Sequence, residues 1–145
     1  MSAQTPQDFK NHGRLDPPYH IISTFILVAS LIVAIVYLVY HPNFFTAWLV
    51  VLSVAVFIPF FKLRMYALKV QDRVIRLEER LRLQALAPAA WHPQISSLTE
   101  DQLIALRFAP DDELVELARQ AVAENLSRKQ IKERIKNWRA DHWRV

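Results

Sequence analysis

The chain has 145 residues, of which 52% are hydrophobic and 22% charged, with a formal net charge of +4 and no cysteine. A soluble domain with this much charge rarely holds so many apolar residues, so we expect them to be concentrated in separate segments. The absence of cysteine excludes a disulfide framework and a thiolate metal site. Because glycine occurs once and alternating Val, Ile and Thr runs are missing, the sequence predicts an all-α protein.

Two apolar segments follow a polar lead-in over residues 1–18. They cover about residues 20–40 and 44–61, and within residues 21–40 and 44–61 tyrosines are the only ionisable side chains. A bilayer core about 30 Å thick needs about 20 helical residues, so the pattern predicts a transmembrane hairpin over residues 19–61. Asn43 is the predicted N-cap of the second helix. A signal peptide is the alternative for the first segment, but no small-residue cleavage site follows it.

The two ends of this hairpin differ in composition. Aromatic residues surround the turn, where they predict a membrane-interface belt, and basic residues follow Phe61. The positive-inside rule therefore predicts that both termini are cytoplasmic. Contacts with anionic lipid are the simplest explanation of the net positive charge.

Hydroxyl side chains recur every seven residues on both apolar segments, which places each set on one helix face. They are Ser23, Ser30 and Tyr37 on the first helix, and Thr46 and Ser53 on the second. Such a face favours close helix packing. A narrow pore is the alternative, although no charge marks an ion path at mid-membrane.

Residues 62–86 continue the second helix as a charged, amphipathic stalk without an intervening Gly or Pro. Its apolar positions alternate at spacings of four and three, which is typical of a coiled-coil seam. The predicted oligomer seam consists of Leu63, Ala67, Val70, Val74, Leu77 and Leu81. Leu68 and Ile75 add a second stripe. A helix apolar on two sides suits either an assembly of more than two chains or one seam for self-association and another for the C-terminal mini-bundle.

A proline-containing linker over residues 87–98 precedes a predicted three-helix mini-bundle over residues 99–145. Capping boxes begin the first and third of these helices at Thr99 and Ser127, and Pro110 begins the second. The predicted bundle core consists of Leu103, Leu106, Leu114, Leu117, Ile131, Ile135 and Trp138. We expect Trp143 to lie outside this core.

The sequence offers little support for a chemical site. His12 and His20 flank the start of the first apolar segment, but a proline pair between them gives no defined ligand geometry, so we expect no metal. The basic residues 127–145 could bind nucleic acid. The acidic residues of the two preceding helices are more suited to neutralise them within the protein. No phosphate-binding loop, zinc motif or nucleophile elbow is present, so we expect no enzyme and no cofactor.

Three stretches, KNHGRLDPPYH, LTEDQLIALRFAPDDEL and IKNWRADHWRV, resemble a bacterial two-span membrane family known only as a domain of unknown function. The resemblance covers nearly the whole chain. It implies a protein of the bacterial inner (plasma) membrane and supplies no activity, cofactor or site.

These observations predict a non-enzymatic inner-membrane protein that forms a homo-oligomer through its stalk. It would act as a scaffold or as an accessory subunit of a larger membrane complex, with lipids and its own copies as partners. A small homo-oligomeric ion channel is the first alternative, and a membrane-anchored nucleic-acid-binding module is the second.

Overall fold

The computed structural model describes Phe9 and residues 17–141, and this part of the chain is helical without a β-strand. A π-helical turn, Pro18–Ser23, leads into α1, Thr24–Tyr40, and α2 covers Phe44–Leu86. A 3₁₀ turn, Ala89–Trp91, is followed by α3 (His92–Ile95), α4 (Glu100–Leu106), α5 (Asp111–Ala123) and α6 (Arg128–Arg134). The predicted all-α fold is confirmed. The chain divides into two compact units, with a boundary between Leu68 and Lys69.

The N-terminal unit contains the apolar hairpin. Pro18–Tyr40 and Phe44–Leu86 are both long and apolar enough to cross a membrane. The turn between them is capped reciprocally: Thr46 N donates to Asn43 Oδ1 over 3.0 Å and Asn43 N donates to Thr46 Oγ1 over 3.1 Å. Asn43 therefore caps α2 as predicted, because its carboxamide oxygen satisfies an N–H of the first turn.

Tyr19 joins the two helices at the open end of the hairpin. Tyr19 Oη donates to the carbonyl of Phe60 over 2.9 Å, and the two rings stack with centroids 4.4 Å apart. The π-helical turn at this end was not predicted. There, Ser23 Oγ donates to the Pro18 carbonyl and Thr24 Oγ1 to the Tyr19 carbonyl, so hydroxyls supplement the backbone bonds of the turn.

The C-terminal unit contains the end of α2 and the mini-bundle, and both predicted capping boxes are present in it, at Thr99 and at Ser127. Asn125 has a φ of 49°, and Leu126 N donates to the Ala121 carbonyl over 3.1 Å. This geometry ends α5, because an asparagine tolerates the left-handed conformation that a helix C-terminus often needs.

Two segments of this unit differ from simple expectations. Residues 87–98 form a 3₁₀ turn and α3, and Ile95 and Leu98 are buried in the hydrophobic cluster. The predicted apolar stripe of the last helix reached Trp138, whereas α6 ends at Arg134. Ile135 has an extended backbone conformation, so the chain leaves the helix there. Trp138 then packs against the Phe108 ring, with centroids 4.9 Å apart.

His12, Trp143 and nearly all of the predicted lead-in lie outside the described residues, and the predictions made for them remain predictions.

Candidate functional site

The predicted oligomer seam forms an exposed apolar face on the stalk. The exposed fractions are 68% for Leu63, 62% for Val70, 48% for Val74, 60% for Leu77 and 56% for Leu81. Ala67 is half-buried. Apolar side chains that recur at heptad spacing and are left uncovered by their own chain are suited to pack against another helix.

The other side of the stalk is buried within the C-terminal unit. Ile75 and Glu79 are buried, and Leu83 is fully buried in the hydrophobic cluster of the bundle. At 100° per residue the centre of this set lies about 170° around the helix from the midpoint between Val74 and Leu77. The two faces of the helix are therefore independent, and the bundle does not compete for the seam.

Glu79 is the buried acidic residue of this face. Its carboxylate lies 3.0 Å from Arg82 Nη1 and 3.6 Å from Arg139 Nη1. Burial raises the pKa of Glu79 above its ordinary value, and the two arginines oppose that rise by stabilising the charged form.

Arg82 connects the stalk to the bundle. Its Nε donates to Asp111 Oδ1 over 2.6 Å, and its Nη2 donates to the Ala109 carbonyl over 2.7 Å. Six residues earlier on α2, Arg76 pairs with Glu100. Sequence reasoning missed this polar face because a glutamate within a charged helix is normally solvated, although the spacing of Ile75, Glu79 and Leu83 by four was visible.

The residues predicted as bundle core come together in space. Leu103, Leu106, Leu114 and Ile131 are fully buried, and Leu117 and Ile135 are nearly so. Trp138 is partly buried and packs against this cluster. The predicted core set leaves out Phe108, although the sequence places it on the apolar side of the first bundle helix; it is fully buried and contacts Trp138.

The hydroxyls of the hairpin are largely used by their own helices. Thr46 is buried and donates to the His41 and Asn43 carbonyls, while Ser53 donates to the Leu49 carbonyl over 2.9 Å. The Tyr37 ring contacts His41, and Ser30 is exposed. Hydroxyls bonded to backbone carbonyls in this way are satisfied without water.

Several basic residues of the mini-bundle pair with acidic ones. Arg134 bonds Glu124 over 2.6 Å, Lys129 lies 3.7 Å from Glu133, and Arg128 lies 3.8 Å from Asp101. The bond with Arg134 lowers the pKa of Glu124. This pairing is the internal neutralisation that the charge pattern predicted.

Among the described residues, no group of three potential metal ligands comes together. The His20 ring contacts Tyr19 edge-on, with centroids 5.2 Å apart.

The chain belongs to DUF6526, a family of unknown function whose model matches residues 1–145. The predicted resemblance to a domain of unknown function is thereby confirmed; bacterial origin and two membrane spans as family traits remain predictions. No curated protein and no solved structure matches the chain.

Proposed function

We propose that this member of DUF6526 is a non-enzymatic membrane protein that self-associates through its stalk. It serves as a scaffold, or as an accessory subunit of a larger membrane complex, and presents the mini-bundle to the aqueous phase. The observation that carries the proposal is the exposed seam. Val70, Val74, Leu77 and Leu81 are about half exposed, whereas Ile75, Glu79 and Leu83 on another face of the same helix are buried.

Membrane anchoring is supported by the exposed apolar surface of the hairpin. Only 6% of the most apolar window of each long helix is buried within the chain. Exposing that much apolar surface to water costs about 25 cal/mol per Å². Lipid removes this cost, since a span of about 20 apolar residues matches the bilayer core.

The orientation follows from charge. Lys62, Lys69, Arg73 and Arg80 are exposed beyond the apolar half of α2. Under the positive-inside rule this end faces the cytoplasm, and in a bacterium the membrane is the inner membrane. Labelling would test this: a cysteine introduced at Ser97 should react with an impermeant maleimide in inverted vesicles only. Equal labelling of right-side-out vesicles would contradict this orientation.

Self-association is tested by the mass of the intact protein in mild detergent. The wild-type assembly should be a multiple of the 16.9 kDa chain. The double variant Val74→Glu, Leu77→Glu should be monomeric, because it buries carboxylates against their own symmetry mates. Insertion should be unaffected, since both positions lie beyond the hairpin.

A charge-matched control separates seam packing from net charge. Lys69→Gln with Lys129→Gln lowers the net charge by two, as the seam variant does, but removes no apolar side chain and lies off the seam and its flanks. This control should retain the wild-type mass. Self-association through the seam is excluded if all three proteins have the same mass; a wild-type mass of one chain plus a different protein would instead support the accessory-subunit form.

A further inference from the structure

Charged residues border the seam on both sides. In heptad terms, Val74 and Leu81 occupy a positions, while Val70 and Leu77 occupy d positions. The flanking g positions are then Arg73 and Arg80, and the e positions are Gln71 and Glu78. Residues at e and g contact the partner helix at the edge of a coiled-coil interface and select its orientation.

Arg73 and Glu78 are exposed, and within residues 17–141 neither forms an ion pair. Five residues apart, they are separated by about 140° around their own helix and cannot meet within one chain. In a parallel, in-register pair of helices, however, each g residue lies beside the e residue five positions later on the partner. Arg73 and Glu78 have this spacing, so symmetry would create two such ion pairs.

An antiparallel arrangement has the opposite electrostatic result. There, g positions face g positions and e positions face e positions, so centring the two stalks on Val74 and Leu77 brings Arg73 towards Arg80 of the other chain. Like charges at these positions are unfavourable. The flanks therefore discriminate between the two orientations.

We infer that the partner on the seam is a second copy of this chain, parallel and in register, joined across the interface by ion pairs between Arg73 and Glu78. The inference rests on the proposed function, because it specifies how the self-associating stalks meet. Membrane anchoring favours the same orientation: hairpins inserted with one topology deliver both stalks to the same side of the bilayer. Tethering also raises the effective concentration of the short seam.

Disulfide trapping reads the register directly, since the chain has no cysteine of its own. Single cysteines at Val70, Val74, Leu77 and Leu81 would be oxidised by oxygen with copper phenanthroline, in membranes that contain the full chain. A parallel, in-register pair should form a same-residue disulfide at all four positions. Lys69→Cys, which lies off the seam, should give several-fold less.

Failure of the inference and failure of the proposed function give different results. If single cysteines at Val70 and Leu81 fail alone but form a disulfide when the two variants are co-expressed, the stalks are antiparallel: the inference is wrong and self-association stands. If no seam cysteine gives a higher disulfide yield than the Lys69→Cys control, both the parallel pairing and the proposed self-association are wrong.

Charge exchange tests the ion pairs themselves. Arg73→Glu and Glu78→Arg, each alone, replace two attractions by two repulsions, so each should lower the dimer association constant by about tenfold. The combined variant should restore it to within about twofold of the wild type. Additive losses in the combined variant would show that Arg73 and Glu78 do not meet.

Discussion

The hairpin and the mini-bundle use similar apolar residues in opposite ways. In the hairpin, Val33, Val39 and Phe44 are 66%, 71% and 85% exposed. In the bundle, Leu103, Leu106 and Phe108 are fully buried. Helix formation alone does not explain this difference, since both regions are helical. The bundle covers its own apolar side chains, whereas the chain leaves those of the hairpin exposed.

The stalk carries covered and exposed apolar side chains on one helix. Leu83 is covered by the bundle, while Leu77 and Leu81 on the other side are left open. An apolar position that its own chain covers should respond to loss of volume. One that lipid or a second chain covers should instead respond to an introduced charge. This distinction ranks the effects of substitutions in the three regions.

The largest loss of stability is expected from Phe108→Ala in the bundle core. The Phe108 ring is fully buried and contacts Trp138. Removing such a ring destabilises a core by about 3 to 5 kcal/mol. Amide hydrogen exchange of the full chain should therefore speed up across α4, α5 and α6. Val33→Ala is the matched control in the hairpin and should leave exchange in the bundle unchanged; equal effects would contradict the contrast between the regions.

The next largest effect is expected from Val33→Arg in α1. Val33 is 66% exposed, so an arginine there would be solvated if the helix lay in water. In a membrane helix, an arginine near the centre raises the free energy of insertion by about 2.5 to 3.5 kcal/mol. The inserted fraction, measured by resistance to alkaline extraction, should fall. Ala123→Arg, at the exposed end of α5, should not change it. Equal extraction of both variants would argue against lipid as the cover of the hairpin.

The two capping boxes sharpen the comparison within the bundle. Gln102 is buried: its Oε1 accepts from Thr99 N, and its Nε2 donates to the Ala121 and Leu126 carbonyls over 2.9 and 3.1 Å. Gln102→Ala should cost about 2 to 3 kcal/mol, because buried backbone groups lose their partners.

The same change in the exposed box, Gln130→Ala, should cost about 1 kcal/mol or less, since water replaces the lost bond. Urea unfolding of the full chain in detergent, followed by tryptophan fluorescence, compares the two variants. Equal unfolding midpoints would show that the hydrogen bonds from Gln102 to the Ala121 and Leu126 carbonyls contribute nothing to stability.

The accuracy of the sequence predictions follows the range of the interactions behind them. Thr99, Ser127 and Asn43 were assigned correctly because a cap depends on residues three positions away. The end of α6 was not assigned correctly. The Glu113 carboxylate accepts hydrogen bonds from Lys136 N and Asn137 N, which stabilises a non-helical backbone after Arg134. A contact across more than twenty residues leaves no periodic signal in either segment.

The same limit applies to the stalk. Its heptad pattern predicts a seam, and four members of that pattern, Val70, Val74, Leu77 and Leu81, are exposed. The burial of Glu79 could not be predicted, because it depends on the bundle and on Arg139, sixty residues later in the chain. Whether the open face binds a second chain remains the prediction that the trapping experiment tests.

The smallest effect is expected from Glu79→Gln, and it concerns pH dependence rather than stability at one pH. Burial raises the pKa of Glu79 in the folded chain above the ordinary value of 4.5, although Arg82 and Arg139 oppose it. Between 4.5 and the raised value, the folded state binds more protons than the unfolded state, so the contribution of Glu79 to stability falls as pH rises through this window. Below 4.5 that contribution is fully present. The difference in unfolding free energy, wild type minus Glu79→Gln, should therefore decrease with rising pH, by less than about 1.4 kcal/mol per pH unit.

Glu124→Gln provides a control of opposite sign. Because Arg134 lowers the pKa of Glu124, that group stabilises the fold above its ordinary pKa and loses this contribution as pH falls. Difference curves of the same sign for the two variants would mean that burial does not govern the titration of Glu79.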